Sequence, residues 1–288
     1  MRPLRVFFAS TLAASVAAVA ACGIDALGVE LSPADDAGAP PPAPPPPPPP
    51  PGDDDAGNDA ARDAGSDAAS CDAQEATFLA PTLHIHPATV PVTVDGDLSE
   101  WACAKFFAFD KTNAGVIHLD ASTPNTYSFA VAYDANKIYI AVRATDAPPL
   151  LGDVTPDVYN NDAIELFLGG DSTFDGGYSA IDHQYVVDWK NRRAEYRNGP
   201  VLTPSAAFVS AVKTNATGYV LEASIAASEV GKATFASGAK LGWGIAGDNS
   251  NGTAQDTWMD WFEPSVTCTG CCSIYCDTRY YATLAFDP

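Results

Sequence analysis

The stretch that decides the fold is Phe129-Ala130-Val131-Ala132-Tyr133-Asp134-Ala135-Asn136-Lys137-Ile138-Tyr139-Ile140-Ala141-Val142-Arg143. Apolar side chains alternate along both halves, which is the period of a β-strand with one buried face. Between the halves, Asp134-Ala135-Asn136 supplies residue types that favour a tight turn. The stretch therefore predicts a β-hairpin.

Segments of the same kind recur on both sides of this hairpin, separated by Gly, Asn, Asp or Pro. Strands are predicted at 92–94, 106–109, 127–133, 163–168, 183–189, 208–213, 219–225, 241–246 and 280–286, and 226–232 shows a brief helical pattern. Many strands joined by turn-rich connections are typical of a β-sandwich and not of an α/β fold. We therefore predict one all-β domain, an antiparallel β-sandwich, over residues 76–288.

The chain begins with Arg2 and Arg5, continues with an apolar run over 6–21 and then reaches Cys22. This order is typical of a secretory signal, and the run is too short for a comfortable membrane span. The last four residues, Val19–Cys22, resemble the lipobox of bacterial lipoprotein signals. The interpretation is a signal peptide over 1–21 and a lipid on Cys22, which would anchor an exported protein in the bacterial envelope, at the outer membrane or cell surface. An ordinary cleaved signal is the alternative.

Residues 22–75 have the composition of a linker. The unbroken run 44–51 consists of proline, whose fixed φ favours polyproline II, and aspartate diluted by Ala and Gly follows it. Few apolar side chains are present to offset the entropy of ordering, so we predict a disordered tether.

Charge excludes one class of partner. The net charge is −21, and residues 76–288 hold 24 Asp and Glu against 12 Lys and Arg. Nucleic acid is therefore not expected as a partner, because no basic patch exists to displace counterions from phosphates.

Cysteine usage agrees with export. Besides Cys22 there are six cysteines, namely Cys71, Cys103, Cys268, Cys271, Cys272 and Cys276. An even number in an oxidising compartment predicts up to three disulfides, with the pairing open. The cluster at 268–276 also has a spacing that zinc would accept, although no histidine is near it.

Six short motifs resemble, in order, those of family 9 carbohydrate-binding modules. They are Val94–Trp101, the hairpin at 129–146, Asn161–Leu168, Asp182–Tyr185, Gly218–Ile225 and Leu241–Asn249. The resemblance covers residues 92–249 and implies a jelly-roll-like, DOMON-like β-sandwich. It also implies a site that holds a sugar between two aromatic rings, since pyranose C–H faces stack on rings while polar side chains bond the hydroxyls.

The resemblance implies individual site residues. Tyr159 stands where the family has its first stacking tryptophan, and Val186 stands where sugar-binding members have an arginine. For the second ring, Trp261 is slightly favoured over Trp258. The cysteine-rich segment after Trp261 is expected near the rim of the site. The predicted carbohydrate-binding residues are Tyr159, Glu165, Gln184, Trp258 and Trp261.

Three other tryptophans, Trp101, Trp189 and Trp243, are expected to pack in the sandwich. His84 and His86 share one strand face, as surface residues or as metal ligands. Carboxylates that end strands would either cap turns or hold a structural calcium. These carboxylates are Asp146 and Asp248.

The hypothesis is a membrane-anchored carbohydrate-binding module whose partner is a polysaccharide or oligosaccharide, supporting polysaccharide degradation beside a secreted glycoside hydrolase. One alternative is noncovalent haem binding through Met259 and a histidine, with His84, His86, His118 and His183 as candidates. Another is a surface scaffold that has lost its ligand.

An enzyme is not expected. Asp162 and Glu165 lie three residues apart on a strand, so they do not flank one bond as glycosidase carboxylates do. Neither a Gly-x-Ser-x-Gly nor a His-Glu-x-x-His motif is present.

Overall fold

The predicted hairpin forms the middle of the first layer of the fold. In the computed structural model, which describes residues 75–77, 81–119, 125–146, 148–197, 201–264 and 273–288, Thr126–Tyr133 pairs antiparallel with Lys137–Thr145. The Asp134 carboxylate accepts hydrogen bonds from the backbone N–H groups of Asn136 (2.6 Å) and Lys137 (2.8 Å). The turn is thus closed by the side chain that its sequence favours.

Strands make up nearly all the regular structure of the described residues. They are β1 (Glu75–Thr77), β2 (Thr82–Pro87), β3 (Phe106–Asp110), β4 (Val116–Leu119), β5 (Thr126–Tyr133), β6 (Lys137–Thr145), β7 (Ala163–Gly169), β8 (Asp182–Asp188), β9 (Arg193–Tyr196), β10 (Val201–Leu202), β11 (Phe208–Asn215), β12 (Gly218–Ala226), β13 (Lys240–Ser250), β14 (Gln255–Asp260) and β15 (Ala282–Phe286). Short 3-10 helices occur at Ser99–Trp101, Val158–Asn160, Ala227–Val230 and Thr278–Tyr280.

The strands form a curled mixed sheet that folds into two layers. The first layer runs β11-β12-β6-β5-β3-β1, and the second runs β10-β9-β8-β7-β13, with β14 and β15 both pairing to β13. β2 joins the layers, because its first residues pair with β15 and its last two with β5. Pairing is antiparallel except for β1–β3, β2–β15 and β2–β5. The prediction of an all-β sandwich is confirmed.

The main core lies between the layers and is rich in aromatic rings. Phe129 of β5 contacts Trp243 of β13, with ring centroids 6.1 Å apart, and Trp261, at 5.1 Å. Trp243 and Trp261 are fully buried. Trp189 is partly buried against the same core, and its indole N–H donates to the Leu151 carbonyl at 2.9 Å. Trp189 and Trp243 therefore pack as expected.

Glu222 explains the first motif of the sequence. This buried carboxylate of β12 accepts hydrogen bonds from the backbone N–H groups of Asp95 (3.0 Å) and Gly96 (2.8 Å) and from the indole N–H of Trp101 (2.9 Å). Gly96 has φ +79°, in the region that favours glycine. The segment 94–101 is therefore a loop clamped to the sheet, and Trp101 is buried, as expected for a packing residue.

Several predicted elements differ from those observed. Residues 92–94 form no strand, because the clamp holds them as irregular chain beside the sheet. The last strand begins at 282 and not at 280, since Thr278–Tyr280 is a 3-10 turn. Sequence patterns also missed β1, β4, β9, β10 and β14, which are short or carry polar residues on both faces. The helical pattern at 226–232 yields only the 3-10 turn Ala227–Val230.

Gly218 is a position where a side chain would not fit, and Gly218→Ala tests this. Its φ is +148°, and a Cβ there would overlap the Ala144 carbonyl oxygen on β6. We expect the free energy of unfolding to fall by roughly 2–4 kcal/mol, measured by urea denaturation. Gly252→Ala is the control, because Gly252 has φ +98° with open space around it and would show backbone strain alone, about 1 kcal/mol. Equal losses in the two variants would contradict the steric argument.

The described residues belong to the unit Ser66–Pro288, and the signal peptide, Cys22 and nearly all of the linker lie outside them. Within the described part of the chain, no helix is long and apolar enough to span a membrane. Cys103 and Cys276 each take part in a disulfide. The other predicted disulfide cysteines, Cys71, Cys268, Cys271 and Cys272, lie outside the described residues.

Candidate functional site

The candidate site lies on the face of the second layer that points away from the main core. Along β7, Ile164 and Leu166 point into the core, so Glu165 between them points to the opposite side. The same alternation brings side chains of β8, β13 and β14 to that side. We call this surface the site face; it is marked by Glu165, Gln184, Asp248 and Trp258.

A chain of polar groups crosses the site face. The Gln184 amide donates to the Glu165 carboxylate at 2.9 Å, and the Gln255 amide donates to the Asp248 carboxylate at 2.6 Å. The Glu165 and Asp248 carboxyl groups lie close enough for the charge of one to raise the pKa of the other, and Asp248 Oδ2 has no hydrogen-bond partner among the described residues. Amide and carboxyl groups of four strands therefore meet in one place, and such groups bond well to sugar hydroxyls.

Burial controls the charge of this cluster. Glu165 is only 4% exposed, and the loss of hydration raises its pKa to about 7. Burial, followed by the nearby Glu165 charge, raises the pKa of Asp248 well above its ordinary value. Because both pKa values are raised, these carboxyl groups keep their protons to a higher pH than ordinary carboxyl groups do, and the cluster is less negative at neutral pH than its composition suggests.

Asp260 is a further buried carboxylate on the site face that the sequence analysis did not single out. It lies on β14 two residues after Trp258, so both side chains point the same way. It is fully buried, its Oδ2 has no hydrogen-bond partner among the described residues, and burial raises its pKa well above the usual value. The alternation Trp258-Met259-Asp260 was the available signal, but it could be used only once β14 was known to be a strand.

Tyr159 lies at one edge of the site face and is half-buried. Its ring meets the Tyr196 ring edge-on, with centroids 5.7 Å apart. Val186, directly opposite Glu165 in the β7–β8 register, is fully buried in a small apolar cluster against which both tyrosines pack. Val186 thus supports the aromatic edge, which an arginine at this position would not do.

The two candidate tryptophans for the second ring lie on opposite sides of the sheet. Trp258 points to the site face, opposite Asp248 in the β13–β14 register. Trp261 follows the end of β14, is 0% exposed and packs against Phe129 in the main core. The preference for Trp261 as a stacking residue was therefore wrong, because three residues in extended chain reverse the direction of the side chain.

Residues 94–286 match the family described as "Carbohydrate family 9 binding domain-like". The chain belongs to this family. The match begins at the Glu222 clamp and runs to the last strand, so it includes every described residue of the site face.

Solved structures of carbohydrate-binding family 9 share the fold. A family 9 module of Caldicellulosiruptor kristjanssonii in complex with cellotriose has a TM-score of 0.58 at 16% identity, covering 72% of this chain and 93% of that one. The same organism's module with glucose has a TM-score of 0.56 at 16% identity, covering 71% and 96%. A putative carbohydrate-binding protein of Bacteroides uniformis has a TM-score of 0.50 at 13% identity, covering 72% and 99%.

A curated relative is the exoglucanase XynX of Acetivibrio thermocellus, 26% identical over 153 residues. The aligned region is 52% of this chain but only 13% of the exoglucanase. The likeness to that enzyme is thus confined to a small part of its length.

A second group of acids lies beside the site face of this family 9 domain. Asp146 and Asp162 are buried next to each other; burial, followed by the neighbouring Asp162, raises the pKa of Asp146 to about 7, and burial raises that of Asp162 to about 6. Asp162 also accepts hydrogen bonds from the backbone N–H groups of Leu151 and Ser250. Those bonds give Asp162 a structural role.

Several of the residues considered as metal or haem ligands are engaged in other contacts. Among the described residues, no group of three or more His, Cys, Asp or Glu is arranged to hold a metal ion, and Asp146 and Asp248 do not form one. The His84 ring lies 3.1 Å from the Asp287 carboxylate. Met259 is fully buried in the main core, and both ring nitrogens of His183 are hydrogen-bonded, to Glu195 and to the Glu229 carbonyl. These contacts leave Met259 and His183 unsuited to be axial haem ligands.

Proposed function

We propose that this chain is a non-catalytic carbohydrate-binding module that holds a glucan or its chain end on the site face. The observation that carries the proposal is the polar chain Gln184–Glu165–Asp248–Gln255, flanked by Tyr159 and Trp258. The family, and neighbours of the same fold solved with cellotriose and glucose, favour a β-linked glucose polymer as the ligand.

The site face also favours uncharged sugars over acidic ones. Glu165, Asp248 and Asp260 lie on it, and no lysine or arginine contacts them in the described residues. A uronate would bring another carboxylate against these groups without a counter-charge. We therefore expect polygalacturonate to bind much more weakly than a neutral glucan.

The sequence adds a location to this proposal. A lipid on Cys22 and the proline-rich tether would hold the module away from the membrane of an exported lipoprotein, close to a secreted glycoside hydrolase that degrades the same polymer. We include up to three disulfides among Cys71, Cys103, Cys268, Cys271, Cys272 and Cys276 in the proposal. Mass spectrometry of proteolytic fragments, with and without reduction, tests the pairing and the acyl group on Cys22.

The test is retention of the full chain, with disulfides formed, on a panel of neutral glucans, xylan and polygalacturonate, with calcium and with a chelator. Glu165→Ala is expected to weaken binding of a retained glucan at least about tenfold, because the site loses the carboxyl group that accepts from Gln184 and lies beside Asp248. Glu195→Ala is the matched control, since Glu195 is a buried carboxylate that bonds His183 on another part of the sheet. A calcium requirement would support the structural calcium, and equal binding by both variants would contradict the site.

A second candidate, a surface scaffold that no longer binds sugar, is favoured by one observation. Glu165 and Trp258 are only 4% and 5% exposed. If no glycan of the panel is retained with or without calcium, the scaffold replaces the binding module as the better interpretation.

A further inference from the structure

The site face lacks an open aromatic platform at its Trp258 side, and this raises the question of what would stack there. Trp258 is 5% exposed, so its ring offers almost no surface to a sugar. Its neighbour in space is Tyr275, whose ring meets that of Trp258 at an angle of 61°, with centroids 6.0 Å apart.

Tyr275 is unusual among the described residues because it is an exposed ring. Of their large apolar side chains, five are well exposed, and the other four are aliphatic: Val90, Leu151, Leu202 and Val209. Tyr275 is 49% exposed, whereas the rings around it on the site face are buried or half-buried. The Tyr275 ring therefore contacts Trp258 edge-on while much of the side chain remains open to solvent.

The turn that carries Tyr275 is firmly held. The Ile274 side chain is fully buried and packs against Gly244 of β13. The Ile274 carbonyl accepts a hydrogen bond from the Tyr178 hydroxyl at 2.7 Å. On the other side, the Cys276 N–H donates to the Ser273 carbonyl at 3.2 Å, and Cys276 is disulfide-bonded. A ring fixed in this way loses little conformational entropy when a ligand stacks on it.

We propose that Tyr275 is a stacking residue of the carbohydrate site. Its exposed ring provides the aromatic surface for the sugar that the buried Trp258 ring does not provide. This inference rests on the proposed function. Trp258 then acts as a positioning residue that supports the Tyr275 ring, and the turn 273–276 extends the binding surface outward from the Glu165–Asp248 cluster. The ligand is a neutral oligosaccharide with an apolar pyranose face.

The experiment is calorimetric titration of the full chain with cellotriose, comparing the wild type with Tyr275→Ala, Tyr275→Phe and Val209→Ala. Tyr275→Ala is expected to weaken binding about tenfold, whereas Tyr275→Phe, which keeps the ring, should stay within about twofold of the wild type. Val209→Ala removes an exposed apolar side chain on β11, in the first layer, and should change nothing. Unfolding midpoints are measured for each variant, so that loss of binding is separated from loss of structure.

The possible outcomes are distinct. If Tyr275→Ala binds as well as the wild type, Tyr275 is not a stacking residue while the proposed function stands. If Tyr275→Ala binds more tightly, the turn covers Trp258 and the assignment is reversed. If the wild type binds neither cellotriose nor any polymer of the panel, both the proposed function and this inference are wrong.

Discussion

Glu222→Ala is expected to lower the free energy of unfolding by about 3–5 kcal/mol, a large fraction of the stability of a domain of this size. The carboxylate is fully buried and satisfies three donors, two from the 95–96 backbone and one from the Trp101 indole. Removing it leaves these donors without partners in a place that water does not reach, and each such donor costs about 1–3 kcal/mol. The loop 94–101 would also lose its attachment to β12. Urea denaturation followed by far-ultraviolet circular dichroism measures the effect.

Two further variants separate the hydrogen bonds from the packing. Glu222→Gln keeps the volume of the side chain but places its NH₂ group against one of the three N–H donors that the carboxylate binds. We therefore expect Glu222→Gln to lower the free energy of unfolding, but by less than Glu222→Ala does. Trp101→Phe keeps most of the ring and removes only the indole N–H. Because both changes remove the same bond, the double variant should be less destabilised than the sum of the single ones. Strict additivity would contradict the clamp.

The sequence allowed the fold to be predicted more completely than the site. The hairpin around Asp134 and the strands at 163–168, 208–213 and 219–225 appear where alternation predicts them, since each turns a row of apolar side chains into the main core over enough residues for the period to show. The segment 92–94 has the same pattern but no strand. Its neighbours are held by the side chain of Glu222, more than a hundred residues away along the chain.

The site shows the same limit more clearly. Glu165 and Gln184 are hydrogen-bonded to each other, although 19 residues separate them in the sequence. The choice between Trp258 and Trp261 depended on where β14 ends, and strand ends are set by long-range pairing. Asp260 was overlooked because a carboxylate next to a tryptophan carries no local sign of burial. The role proposed for Tyr275 could not be predicted from the sequence for the same reason, since only the folded chain shows that its ring contacts Trp258.

The second large effect is a fall in stability as the pH rises from 5 to 8. Glu165 and Asp146 have pKa values raised to about 7, and Asp162 has one raised to about 6. The pKa values of Asp248 and Asp260 are raised well above the ordinary value, and burial is the main cause in all five groups. The folded chain therefore keeps protons that the unfolded chain has released above the ordinary values of 3.8 and 4.5. The stability that these groups contribute is fully present below their unfolded-state pKa values and is lost as pH rises through their folded-state pKa values. We expect the free energy of unfolding to fall by about 2–5 kcal/mol over this range.

Glu165→Gln tests how much of that fall comes from the site face. Its amide accepts from Gln184 and donates to Asp248 without carrying a titrating proton, so the fall between pH 5 and pH 8 should shrink by about 1–3 kcal/mol. Asp110→Asn is the control, because hydrogen bonds from Thr112 lower the pKa of Asp110. A lowered pKa contributes stability that disappears only as pH falls below the ordinary value, so this variant should leave the slope between pH 5 and 8 unchanged. If wild-type stability is flat or rises over that range, the carboxyl groups of the site face are ionised in the folded protein. Their charge would then have to be balanced by a bound cation, and adding calcium at pH 8 would raise the unfolding midpoint.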